Sequence, residues 1–213
     1  MSIETEEEIT ETEPEGTTTD PESPHTISID LGTKNLAYAL FSSEDKLISF
    51  HLVDTKIDKK TASDRCDYVH KFARAYPTIR KVIIEKQLPV NVVCFSLMYA
   101  FIAAYKGFAA ETCSEIKIIL TPPWKKFQNL GLPCNTKKKS HKKLMVETVQ
   151  KYLSDCLLED FKTYKKQDDI ADSIMQYLSL LPEVNRIKEN SENRGRSTSP
   201  VENEITEDRW LVV

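Results

Sequence analysis

The chain has 213 residues, 40% of them apolar, which is enough for one sizeable core flanked by tails and too little for several domains. Its 29 basic and 33 acidic residues nearly cancel overall, but they are unevenly spread. Residues 1–25 carry nine acids and no Lys or Arg, and this composition together with that of 183–213 predicts a disordered acidic arm and a mobile C-terminal tail around a core at 26–182.

That core holds 24 Lys plus Arg against 17 Asp plus Glu, a net +7 that suits a polyanionic partner as well as it suits ordinary solvated lysine. Five widely spaced cysteines without a CxxC pair, and four histidines without ligand spacing, argue against a disulfide framework and a zinc site. The cysteine usage and the absence of a secretory pattern predict a reducing, intracellular setting. The longest apolar run, Val92 to Tyr105, is interrupted by Ser96 and reads as too short to span a bilayer, so no membrane partner is expected.

Taken in order, Ile27, Ile29 and Leu31 alternate with Thr26, Ser28 and Asp30, the period-two pattern of a strand, and Gly32 supplies a turn. Leu36–Phe41 and Leu47–Asp54 read as the next two strands of an antiparallel meander. Cys66, Val69, Phe72, Ala73 and Tyr76 recur at helical spacing until Pro77. A fourth strand, 81–86, is apolar and β-branched up to Glu85, as for a strand covered on both faces. An apolar helix from Asn91 to about Gly107 follows, then a strand at 116–120. A helix is predicted over 140–157, with Met145, Val149, Tyr152, Leu153 and Cys156 inward, and a last one from Asp168 to Leu181.

Acids mark three of these elements. Asp30 and Glu85 end strands one and four, and Asp169 and Asp172 stand three apart on the last helix, on one face of it. An acid at a strand end is commonly a solvated turn residue, and Asp168 and Asp169 suit a helix's first turn through its dipole; Asp172 lies one turn further in. The element order is that of the RNase H-like α/β fold: a five-stranded mixed sheet, a three-strand meander plus two parallel strands, flanked by helices. In that fold strands one and four are neighbours, so the four carboxylates would converge into an all-oxygen site for a hard ion such as Mg²⁺.

Three blocks carry a more specific resemblance. Ile29-Asp30-Leu31-Gly32 with Lys34-Asn35-Leu36-Ala37, then Ile84-Glu85-Lys86-Gln87, then the run from Lys165 to Ser173 resemble the signatures of RuvC-type Holliday junction resolvases, closest to the branch of poxviruses, other large DNA viruses and fungal mitochondria. The resemblance spans 26–182. It implies Asp30, Glu85, Asp169 and Asp172 as catalytic metal ligands, with Asp169 preferred to Asp168 because the pattern calls for acids three apart. Gln167, between Lys166 and the acids, departs from it.

The activity implied is Mg²⁺-dependent hydrolysis, with Mn²⁺ as substitute, that makes paired symmetric nicks in four-way DNA junctions and leaves 5′ phosphate and 3′ hydroxyl ends. Two symmetric nicks imply a homodimer, to which the 91–107 helix is a candidate contributor, although burial within its own monomer is the better reading of so apolar a helix. Lys137, Lys138, Lys139, Lys142 and Lys143 are candidate DNA contacts, with nuclear localisation or plain solvation equally compatible; the resemblance places one basic residue of this region near the scissile phosphate. Trp124 and Phe127 suit DNA stacking and Lys125 and Lys126 a grip on DNA, although an aromatic pair after a strand more often belongs to the core.

The alternatives are an RNase H-like nuclease for other branched DNA, RNA–DNA hybrids or RNA, a catalytically dead DNA-binding relative, and an actin or heat-shock type ATPase fragment. The last is opposed by five glycines in all and no second Gly-rich half, the dead relative by the complete acid set. The acid-rich start favours host-cell cytoplasm over the mitochondrion.

Overall fold

A computed structural model describes residues 23–132 and 138–181, for 138–140 the backbone alone. The strands are β1 (Thr26–Leu31), β2 (Asn35–Phe41), β3 (Leu47–Asp54), β4 (Lys81–Glu85) and β5 (Lys117–Thr121). The helices are α1 (Ala62–Arg74), α2 (Val92–Glu111), α3 (Lys125–Asn129), α4 (Lys138–Gln150), α5 (Asp155–Thr163) and α6 (Gln167–Leu178), and a short 3-10 turn covers Ile57–Lys59. The expectations for 1–22 and 182–213 lie outside the described residues. Pro24 and His25, assigned above to the acidic arm, are tied to the sheet: Thr78 Oγ1 donates to the Pro24 carbonyl, and His25 N–H to that of Phe41 at 2.8 Å.

The sheet order is β3-β2-β1-β4-β5, antiparallel through the meander and parallel from β1 to β4 and β5. This is the RNase H-like arrangement. Strand parity decides what lies on each face. Ile27, Ile29 and Leu31 of β1 and Val82 and Ile84 of β4 enter one core layer with Val69, Phe72, Leu97 and Phe101 of α1 and α2. Ile83 points the other way, into a second layer with Met145, Val149, Phe161, Ile170 and Ile174 of the C-terminal helices. Ser28 and Asp30, and likewise Glu85, therefore belong to the face that α6 covers. All three apolar residues of β4 are fully buried, as a strand covered on both sides requires.

α3 is not among the expected helices, α6 ends at Leu178 and not at Leu181, and two further helices differ from expectation. α2 continues past Gly107 to Glu111, making 20 residues, long and apolar enough by length and composition alone to cross a membrane. Here Cys94, Leu97, Met98, Phe101, Ile102, Ala104 and Tyr105 bury one side of it in the core. The helix expected over 140–157 is two helices, because Ser154 takes an extended conformation (φ −66°, ψ 161°) and starts α5. Tyr152 and Cys156, expected inward, are exposed.

The turn after β1 brings Asp30 to the sheet's edge and needs Gly32: a Cβ there would lie 2.4 Å from the Asn35 carbonyl oxygen. Gly107 has open space where its Cβ would be. Gly32→Ala is expected to lower unfolding free energy by about 1–3 kcal/mol, whereas Gly107→Ala, in mid-helix, should raise it by about 0.5–1 kcal/mol. Urea denaturation of both variants checks the pair, and equal effects would show that the turn yields.

Candidate active site

The parallel register pairs Ile29 with Ile84, so the next residues, Asp30 and Glu85, emerge side by side at the C-terminal ends of adjacent strands. α6 packs across β1 and β2 and also touches β4. Its first two turns place Asp169 and Asp172 over the same edge, since Ile170 and Ile174 anchor the helix in the core below. Asp30 feels the charges of Asp172, Glu85 and Asp169. The structure thus brings together the four carboxylates singled out from the sequence. Asp168 turns elsewhere and pairs with Lys142 of α4.

A cation that the sequence pattern did not single out stands among them. Lys126, on the short helix α3, is 4% exposed, and its Nζ donates to Glu85 Oε1 at 2.7 Å and to Asp172 Oδ1. From sequence alone Lys126 is only a candidate DNA contact, and the resemblance points to 137–143 for the basic residue of the site. Of that run, Lys137 lies outside the described residues, and the Lys138 and Lys139 side chains are not described. Lys142 and Lys143 are exposed on α4, at the rim of a cleft of about 550 Å³ shared with Lys165 and Asp168.

One ammonium does not neutralise four acids. Burial, then the neighbouring Asp172 and Glu85, pushes the Asp30 carboxyl well above the ordinary carboxylate range. Asp172 is also pushed up, chiefly by burial, although Lys126 opposes the shift. Lys126 is itself pushed up: burial disfavours its charge, but Asp172, Glu85 and Asp30 favour it more. Burial is thus the first cause of the upward shifts of Asp30 and Asp172, and the neighbouring carboxylates add to it. Among the described residues no three acidic, His or Cys side chains are arranged ready to hold a metal ion, and Lys126 occupies the space between Glu85 and Asp172. Beyond Asp30 and Asp169 opens a cleft of about 220 Å³ lined by Gly32, Thr33, Lys34, Asn35 and Lys166.

The family model for the poxvirus A22 protein matches residues 26–183, about three quarters of the chain. The chain belongs to the poxvirus A22 protein family. Membership agrees with the resemblance carried by the three sequence blocks, on its poxvirus side, and makes the protein a RuvC-type Holliday junction resolvase, a metal-dependent junction-cleaving nuclease. No curated protein sequence matches the chain. Among solved structures, Thermus thermophilus RuvC is similar at 16% identity and TM-score 0.49, over 72% of this chain and 93% of that one. Fowlpox virus resolvase in complex with substrate Holliday junction DNA is similar at 23% identity and TM-score 0.47, over 76% and 97%. These likenesses are distant, and the fold assignment rests on this A22-family chain's own sheet order.

The burial of Asp30 among other acids has a consequence for stability. Asp30 holds its proton more tightly folded than unfolded, so its contribution is fully present at acid pH and is lost as pH rises from about 4 through the raised value. Asn imitates the protonated side chain. With divalent cations chelated, Asp30→Asn is expected to be more stable than the wild type by about 1–3 kcal/mol at pH 7, the gain fading toward pH 4. Urea unfolding of both proteins across that range checks this, and a pH-independent difference would contradict it.

Proposed function

We propose that this protein resolves four-way DNA junctions as a homodimer, making one nick per subunit with Asp30, Glu85, Asp169 and Asp172 as the metal ligands and Mg²⁺ as the metal. The observation that supports this most is the convergence of four acids on one sheet edge, under-neutralised by Lys126, in a core of net +7.

The residues fit a hard divalent ion by donor type, because every ligand is a carboxylate oxygen, and by charge. The chemistry such ions supply when bound is polarisation of the scissile phosphate and a lowered pKa for the attacking water. The rest falls to the chain's own side chains. Asp30 and Glu85, fixed at the ends of paired strands, set one wall of the site, and Asp169 and Asp172 on α6 set the other. Lys126 offsets the repulsion between Glu85 and Asp172 and orients both carboxylates. Lys142 and Lys143, exposed nearby, bind DNA phosphates on this reading.

Two symmetric nicks require two sites related by a twofold axis. The surface offered for that contact is the outer side of α2 with the loop before it, where Leu88, Val90, Val92 and Tyr99 are exposed and Phe95 packs edge-to-face on Tyr99 at 5.0 Å. On the poxvirus reading the enzyme acts in the host-cell cytoplasm.

The purified protein, given a mobile four-way junction, a flap and an RNA–DNA hybrid, is expected to make paired, ligatable nicks in the junction with Mg²⁺ and none with chelator. Asp30→Asn should slow the cut roughly a hundredfold or more. Hybrid cleavage with an intact junction would instead favour the RNase H-like alternative. Separately, Tyr99→Glu with Val92→Glu should convert dimer to monomer in sedimentation velocity with an unchanged circular dichroism spectrum, and a persisting dimer would move the interface elsewhere.

A further inference from the structure

The carboxylate cluster has two sides. Lys126 fills the side toward Glu85 and Asp172, whereas Asp30 and Asp169 open into the cleft whose other lining residues include Lys34 and Lys166. A cleft that pairs two acids with two ammonium-bearing side chains is badly matched to a neutral ligand. It is well matched to an anion that must approach acids, because the lysines offset the repulsion.

The turn carrying Lys34 is held in place. Its carbonyl accepts from Thr55 N–H at 2.8 Å, Lys56 N–H at 3.0 Å and Thr55 Oγ1 at 3.1 Å, and the Thr33 carbonyl accepts from Asp58 N–H at 3.0 Å. Four hydrogen bonds thus pin two successive turn residues, half-buried Thr33 and exposed Lys34, to the segment after β3, and Gly32 lets the backbone close up behind them. The Lys34 side chain is exposed and forms no ion pair among the described residues. Across the cleft Lys166 is only loosely engaged, 3.8 Å from Asp169 on an exposed i,i+3 spacing that stabilises little by itself. A rigid backbone presenting an uncommitted ammonium at the mouth of an acid-floored cleft has no evident role in folding.

We propose that Lys34 is a substrate-positioning residue that binds the phosphate next to the scissile one on the cleaved strand, with Lys166 closing on it from the other wall. The inference rests on the nuclease reading of the same site and deepens it. The two lysines aim the strand so that the phosphate to be cut lies over Asp30 and Asp169. Lys34 reads charge rather than base, and it acts through placement.

Equilibrium binding to four-way junctions in chelator tests this, using a set in which one phosphate at a time around the cut is replaced by an uncharged methylphosphonate. Lys34→Ala is expected to weaken binding to the unmodified junction roughly three- to tenfold and to reduce the slope of log K against log salt by about one. At a single position beside the cut, methylphosphonate should weaken the wild type by the same factor and Lys34→Ala not at all, with Lys34→Arg behaving as the wild type. Penalties that multiply at every position, or an unchanged salt slope, would overturn the assignment. Failure of the resolvase reading looks different: the wild type would bind without nicking the junction in Mg²⁺, and the methylphosphonate coupling would still be measurable. A wild type that binds none of the junctions overturns both.

Discussion

Four like charges gathered at one sheet edge are the constraint from which the rest of this structure follows. Two come from neighbouring parallel strands, whose register leaves no choice about Asp30 and Glu85 meeting. The other two come from a helix anchored by Ile170 and Ile174. Bringing them together costs energy: burial raises the proton affinity of Asp30 and Asp172, and the neighbouring acids raise it further. A buried lysine is itself expensive, and Lys126 is tolerable only because acids surround it on more than one side. Fold and chemistry thus pull against each other at this edge, as is usual where a protein keeps a strained site for function.

The scaffold absorbs that cost elsewhere. β4 is sealed between two apolar layers, and the aromatic side chains of α1 and α2 pack edge-to-face under β1, with Phe72 and Phe101 at 5.4 Å. The glycine turn, pinned by its neighbours, keeps Asp30 from drifting. Around this rigid centre the basic residues lie on separate elements: Lys34 on a turn, Lys126 on α3, Lys142 and Lys143 on α4, Lys166 just before α6. Cations spread over several elements in this manner suit a phosphate backbone, which carries no base sequence.

Much of this was legible in the sequence, for identifiable reasons. Period-two alternation located β1 and β3, the β-branched run located β4, and acids at strand ends flagged the edge that matters. The three-residue spacing of Asp169 and Asp172 separated them from Asp168, which is engaged with Lys142. Lys126 was not legible, because a lysine between Trp124 and Phe127 carries no local sign of burial; its partners lie 41 and 46 residues away. The break between α4 and α5 was missed because Leu153 and Leu157 continue the apolar stripe with no Gly or Pro to interrupt it. α2 outran its expected end because Gly107, a poor helix former, meets nothing that stops the helix there.

The central claim is that the four carboxylates act as one cation pocket whose negative charge Lys126 offsets in part. Its most direct test is Mn²⁺ binding followed by electron paramagnetic resonance in the wild type, Asp30→Asn and Lys126→Met. The account predicts that Asp30→Asn weakens binding about ten- to a hundredfold and that Lys126→Met tightens it. Equal Mn²⁺ affinity in all three proteins would contradict it.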